Sequence, residues 1–377
     1  MIDPVELARD LIRRPSVTPA DAGAMDIVEA VLAGLGFTCR RMRFGEIENL
    51  YARRGTGGPN FCFAGHTDVV PPGEASAWRH GPFDGRIDDG VLHGRGAADM
   101  KSAIAAFVAA ASRVGETRGS LSLLITGDEE GVAEHGTRAV VAALAAEGER
   151  IDHCLVGEPT SSARLGDMVK IGRRGSINAE IVVRGVQGHV AYPDRAANPA
   201  PVIVRFLAAV QGRRLDEGYL GFQPSNVEIT SIDIGNPATN VIPAEARARL
   251  NIRFNPAHTG ASLAAWLSNE AETAGAAFEG SVTLTPRISG EAFLTEPSDF
   301  TALVARVVEV VTGVAPELST TGGTSDARFI RALCPVVEFG LVGASMHKVD
   351  EQASVADIET LTRVYERLIA DYFVTFD

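Results

Sequence analysis

Hydrophobic and polar positions follow two different rhythms along this chain. Apolar residues recur every three or four positions over residues 3–13 and 21–35, which predicts two amphipathic helices. Short apolar runs at 61–65, 121–126 and 153–156 predict buried strands, with helices at 101–113 and about 136–147 between them. Strands alternating with helices imply a largely parallel sheet covered on both faces. The rhythm then changes. Strands are predicted at 177–184, 227–234, 246–254 and 281–288, and helices at 198–210 and 262–274. That order, β-α-β-β-α-β, is the split βαβ or ferredoxin-like pattern. The α/β rhythm resumes with a helix at 298–312, a strand at 335–339 and a last helix at 354–372. The predicted fold class is α/β. A catalytic domain with a mostly parallel sheet, built from residues 1–175 and 289–377, is interrupted by a ferredoxin-like α+β domain at 176–288. Insertion into an exposed loop is physically well tolerated.

Length agrees with this division, since 377 residues exceed one compact core at roughly 150 residues per domain. The net charge of −13 argues against a nucleic-acid surface, which needs a basic face. It leaves room for a locally basic pocket that takes an anionic small molecule. No run of about 18 apolar residues is seen, so no membrane partner is expected. The start of the chain lacks a charged segment leading into an apolar one, so the expected location is the cytoplasm. The four cysteines, Cys39, Cys62, Cys154 and Cys334, are scattered; Cys62 and Cys154 read as small buried hydrophobes.

The candidate chemistry lies where strands end. Gly65-His66-Thr67-Asp68 follows the first strand, Gly127-Asp128-Glu129-Glu130 the second and Gly157-Glu158-Pro159 the third. In open α/β sheets ligands bind beyond the carboxyl ends of the strands, so all three clusters point to one crevice. Gly94-Arg95-Gly96-Ala97-Ala98-Asp99 opens a helix, and Met346-His347-Lys348-Val349-Asp350 precedes the last one. Two imidazoles with several carboxylates suit zinc. A pair of ions needs a bridging carboxylate, and a further carboxylate off the metal must take a proton from water. Two histidines, three ligand carboxylates and one spare meet that need. Each group alone has a plainer reading: a strand-end histidine is usually hydrogen-bonded, and an acidic pair is usually a solvated turn. It is the co-occurrence of these groups after apolar strands that favours a site. The glycine-rich turn at 94–99 has Asp where a dinucleotide-binding turn needs Gly or Ala, and no G-x-S-x-G elbow or phosphate loop is present.

The strings GHTDVVPPG (65–73), GPF (81–83), GRGAADMK (94–101), TGDEEG (126–131) and GEPT (157–160) resemble the aminoacylase/carboxypeptidase family of co-catalytic zinc hydrolases. The resemblance runs through KIGRRGS (170–176), GHVAYP (188–193), STTGGTSDARF (319–329) and MHKVDE (346–351), and covers essentially the whole chain. It implies amide hydrolysis with two Zn²⁺, for which Co²⁺ can substitute. His66 and Glu158 would bind one ion and Glu130 and His347 the other, with Asp99 bridging. Glu129 would be the general base, and Asp68 would hold the His66 ring by a hydrogen bond. The peptide after the bridging residue, Asp99-Met100, would be cis. His189 would donate to the oxyanion from the other subunit of a homodimer formed through the inserted domain. Arg173, Arg174 and Arg253 would bind the carboxylates of a small substrate that carries several, for which guanidinium forks are suited. Ser176, Tyr192, Asn240, Gly323 and Thr324 match further substrate-contact positions.

Overall fold

The computed structural model describes residues 1–376, which divide into two compact units. The larger takes in Met1–Ile171, Thr295–Ser319 and the chain from Ser325 onward; the smaller is Gly172–Leu294 with Thr320–Thr324.

The larger unit is built on an eight-stranded sheet. Its middle strands, Ser120–Thr126, Asn60–His66, His153–Val156 and Val336–Glu338, run parallel to one another. Antiparallel pairing is confined to the flanks. On one side lies the hairpin Thr38–Phe44/Ile47–Arg54; on the other, Val336–Glu338 pairs with Met168–Lys170. The pattern of apolar runs did not reveal the hairpin, because alternating Arg40, Arg41 and Arg43 with Met42 make an edge strand that is mostly solvated.

Parallel strands covered on both faces are mostly apolar, and every residue of Asn60–His66 and Ser120–Thr126 is buried. The helix Lys101–Arg113 is buried on all sides from Lys101 to Ala111. Its run of alanines leaves no bulk to hold neighbours off, so the first helix, Pro4–Ile12, and the last, Val355–Thr375, pack against it. Larger side chains fill the layer around it. Phe63 stacks on Phe107 with ring centroids 4.2 Å apart, Phe61 stacks on Tyr372 at 4.6 Å, and the Tyr365 hydroxyl donates to Phe339 O at 2.7 Å.

The smaller unit has a four-stranded antiparallel sheet in the order Asn226–Asp233, Glu245–Phe254, Gly175–Arg184, Ser281–Gly290. Numbered along the chain that order is 2-3-1-4, the split βαβ arrangement. The helices Ala200–Gly212 and Gly260–Gly275 cover one face of the sheet, packing Phe206 and Leu267 into a core with Ile177, Ile181, Leu250 and Ile252. Alternation leaves Asn178, Glu180, Arg249 and Asn251 on the other face. Phe293 and Leu294 pair with Arg173 and Gly172, closing the base of this unit beyond residues 176–288. Among the described residues no helix is long and apolar enough to cross a membrane.

Candidate metal centre

Register brings the strand ends level. His66 pairs with Thr126 across the sheet, Ala64 pairs with Val156, and Thr67 N donates to Thr126 O at 2.9 Å. The residues that follow each strand therefore emerge on one rim. Behind the rim sits Met100, the first residue past Asp99. A Cβ on Gly65 would lie 2.5 Å from Met100 Cε, and one on Gly157 would lie 2.8 Å from it and 2.5 Å from Phe63 Cζ. Only glycine lets these two strand ends close around Met100.

On that rim the structure brings together the six groups expected of a two-ion site. His66 Nε2 is 3.2 Å from Asp99 Oδ1 and 3.8 Å from Glu158 Oε1. His347 Nε2 is 3.3 Å from Asp99 Oδ2 and 2.8 Å from Glu130 Oε1. Asp99 thus turns one oxygen to each imidazole. Donor atoms of His66, Asp99 and Glu130, and of His66, Glu129 and Glu158, each lie within 4.8 Å of one another. The His66 side is closed, with 1% of the side chain exposed, whereas His347 is 49% exposed and faces water. The Asp99–Met100 peptide is cis.

Asp68 acts differently from the sequence expectation. Its main-chain oxygen, not its carboxylate, takes the His66 Nδ1 proton at 2.9 Å; the carboxylate stands 3.7 Å away. That bond fixes the tautomer that leaves Nε2 free to ligate. The carboxylate instead accepts the backbone N–H of Glu129 at 3.2 Å and of Glu130 at 3.0 Å. The acidic pair is therefore an ordered turn tied to the histidine loop.

The family model for peptidase family M20/M25/M40 matches residues 62–371, which spans every one of these groups. The chain belongs to that family. A succinyl-diaminopimelate desuccinylase of Caulobacter vibrioides (strain NA1000 / CB15N) is 69% identical over 375 residues, covering 100% of this chain and 97% of the relative. An M20 family metallo-carboxypeptidase from Sulfolobus solfataricus has the same fold at 16% identity, with a TM-score of 0.82 over 99% of this chain and 100% of that one. A Bacillus subtilis protein described as a dinuclear metal-binding peptidase of the M20 family matches with a TM-score of 0.73 at 16% identity, over 99% of this chain and 98% of that one.

The electrostatics of this M20 rim fit a cation. Burial by itself would push the His66 imidazole down, but Asp99, Glu129 and Asp68 raise its pKa well above the usual value. Asp99 and Glu130 push His347 up to about 10 by hydrogen bonds, against the effect of burial. Burial, then the neighbouring Glu158, drives Glu129 well above the ordinary carboxylate range. Burial also raises Asp68 to about 6, against the opposing pull of His66 and the two amides. The buried carboxylates around the two imidazoles favour protons on both rings. Divalent ions would replace those protons, as ligand sets of this kind require.

Two neighbours in the M20 rim were not singled out from the sequence. Arg328 Nη1 lies 4.0 Å from Glu129 Oε1, and Arg328 Nη2 lies 4.0 Å from the buried Asp326. Their only sequence signal is the D-x-R inside the string 319–329.

The expected substrate contacts all fall in the smaller unit. Arg173 is buried and donates to Gly323 O at 3.2 Å, which places Gly323 and Thr324 beside it. Arg174 donates to Asn226 Oδ1 at 2.9 Å, and Ser176 pairs in register with Arg253, which also faces Asn226. Three arginines thus gather at one end of this sheet. Exposed His189 sits on a two-residue strand paired with Val241, Val190 N bonds Asn240 O at 3.2 Å, and Tyr192 is 55% exposed.

Proposed function

We propose that this chain hydrolyses the amide bond of N-succinyl-L,L-2,6-diaminopimelate, giving succinate and L,L-diaminopimelate for lysine and diaminopimelate biosynthesis. The observation that carries the substrate is the 69% identity with the Caulobacter desuccinylase along the full chain. The clustered imidazoles and carboxylates carry the chemistry.

His66 and Glu158 are assigned to one Zn²⁺, His347 and Glu130 to the other, and Asp99 to both; Co²⁺ is the expected substitute. Bound there, the ions would polarise the amide carbonyl and bring the pKa of water between them toward about 7. The remaining roles fall to the protein. Glu129 takes the proton from the attacking water. Its burial keeps the carboxylate a strong enough base for this, and then lets the acid form give that proton to the leaving amine. Asp68 holds Glu129 in place through the Glu129 backbone N–H. His189, assigned to the partner subunit's active site in a homodimer formed through the smaller unit, donates to the oxygen of the tetrahedral intermediate. Arg173, Arg174 and Arg253 take the substrate's carboxylates, with Ser176, Tyr192, Asn240, Gly323 and Thr324 as further substrate contacts. The compartment assigned is the cytoplasm.

The test is turnover of N-succinyl-L,L-2,6-diaminopimelate against N-acetylated diamino acids, with and without a chelator. Bound metal is analysed alongside, and sedimentation reads the dimer. Preference for the succinylated substrate, lost with the metal, supports the proposal. Equal or better turnover of the acetylated compounds overturns the substrate assignment.

A further inference from the structure

The carboxylate of Glu351 is fully buried, and it lies outside both donor groups of the rim. Its Oε1 accepts three backbone N–H groups from the loop that carries Asp99: Gly96 at 3.2 Å, Ala98 at 3.0 Å and Asp99 itself at 3.1 Å. Its Oε2 accepts from Arg95 Nη1 at 2.6 Å, and its main-chain oxygen accepts from Gly94 N at 2.9 Å. Arg95 is 2% exposed and lies 5.3 Å from the centre of the Trp78 ring. It also reaches back to Lys348 O at 3.2 Å, one residue past His347. One buried ion pair thus stitches the Asp99 loop to the His347 loop, across 256 positions of sequence.

Both loops need an external hold. The Asp99 loop turns through Gly94 and Gly96 at φ of 150° and 88°, so its amides cannot find partners in a helix or ladder. In the other loop His347 and Asp350 take left-handed φ of 61° and 59°, a conformation uncommon outside glycine, although Asp and His adopt it more readily than most residues. Glu351 is the group the two loops share. We propose that Glu351, braced by Arg95, is a positioning residue that sets the separation of Asp99 from His347, and with it the affinity for the second, more open cation.

This inference rests on the reading that Asp99 and His347 hold the ions. Zn²⁺ titration of the metal-free protein, followed by calorimetry, would compare the wild-type chain with Glu351→Gln, Arg95→Lys and Asp99→Ala. Glu351→Gln retains an oxygen for the amides but sets an amide N–H₂ against Arg95. The expected result is a weaker second ion by about 10–100-fold, the usual effect of disturbing the groups that orient ligands. Turnover should fall with KM changed less than about twofold, because substrate-binding groups are untouched, and the circular dichroism spectrum should be that of wild type. Arg95→Lys keeps the charge but not the fork, and should show a smaller loss in the same direction. Wild-type affinity for both ions in Glu351→Gln, even with a lowered melting temperature, overturns the proposal. If Glu351→Gln does not fold, wild-type affinity in Arg95→Lys overturns it instead. Asp99→Ala separates the two failures: if that variant still binds two ions, the metal assignment itself falls.

Discussion

The carboxylate of Asp68 accepts the backbone N–H of Glu129 at 3.2 Å, which places a buried acid directly under the residue assigned as general base. A second bond to the Glu130 N–H at 3.0 Å makes the same carboxylate hold a metal ligand. Asp68→Asn keeps the shape but can accept through only one atom. It should lower kcat by about 10–100-fold while leaving most of the bound metal, the usual range for groups that orient ligands. Steady-state kinetics with metal analysis checks this. A variant with wild-type kcat would show that the turn holds itself.

Glu129 is the carboxylate with no assigned ligand role, and it lies in the same donor group as His66 and Glu158. Glu129→Gln removes proton transfer but keeps the volume and the backbone bond to Asp68. It should retain both ions and lose roughly 10²–10⁴-fold in kcat. Undiminished turnover, or loss of metal in step with activity, would move Glu129 into a different role.

The parts of this site legible in the sequence are those where an apolar strand runs straight into polar residues. His66 ends one strand and Glu129, Glu130 and Glu158 follow others that are buried along most or all of their length, so the polarity there stands out. The split βαβ order was legible for the same reason, since Ala246–Phe254 alternates over its whole length. What escaped was set by tertiary pairing. Met168–Lys170 and Glu317–Ser319 are three-residue strands, and only their neighbours in the sheet define them. The carboxylate of Asp68 could be read as a partner of the His66 ring because spacing says only that it is near. Which oxygen takes the proton depends on how the loop turns. In the sequence Glu351 is one charge among several before the last helix, and nothing local marks it as buried. Recognising its role required the Asp99 loop to be seen folded over it.

The glycines behind the rim give a packing prediction. Gly65→Ala would put a methyl group 2.5 Å from Met100 Cε and 3.2 Å from Ile104 Cγ1. The core here is filled, with Met100 and Ile104 fully buried, so the strain cannot be shed to solvent. A loss of about 1–3 kcal/mol is expected from overpacking. Activity should fall as well, since Met100 is covalently next to Asp99. Denaturant unfolding of the metal-free protein measures the first effect. Stability equal to wild type would mean that Met100 can swing away.

Acid stability should depend on a carboxylate outside the site. In the smaller unit, Asp216 accepts from Gly218 N at 2.7 Å, Ser225 N at 3.2 Å, Asn255 Nδ2 at 2.8 Å and His258 Nε2 at 3.1 Å. Burial alone would raise its pKa, but the bonds from Ser225, Gly218 and Asn255 outweigh that and hold it at about 2. A carboxylate whose folded pKa lies below its unfolded value, about 3.9, binds fewer protons in the native state. Its contribution is therefore fully present above about pH 4 and is lost as pH falls toward 2. Asp216→Asn removes that contribution at every pH. The gap between wild-type and variant unfolding midpoints should accordingly narrow steadily as pH falls below 4. A gap that stays constant down to pH 2.5 would mean the carboxylate acts through shape alone, and that its bonds to Gly218, Ser225 and Asn255 carry no charge dependence.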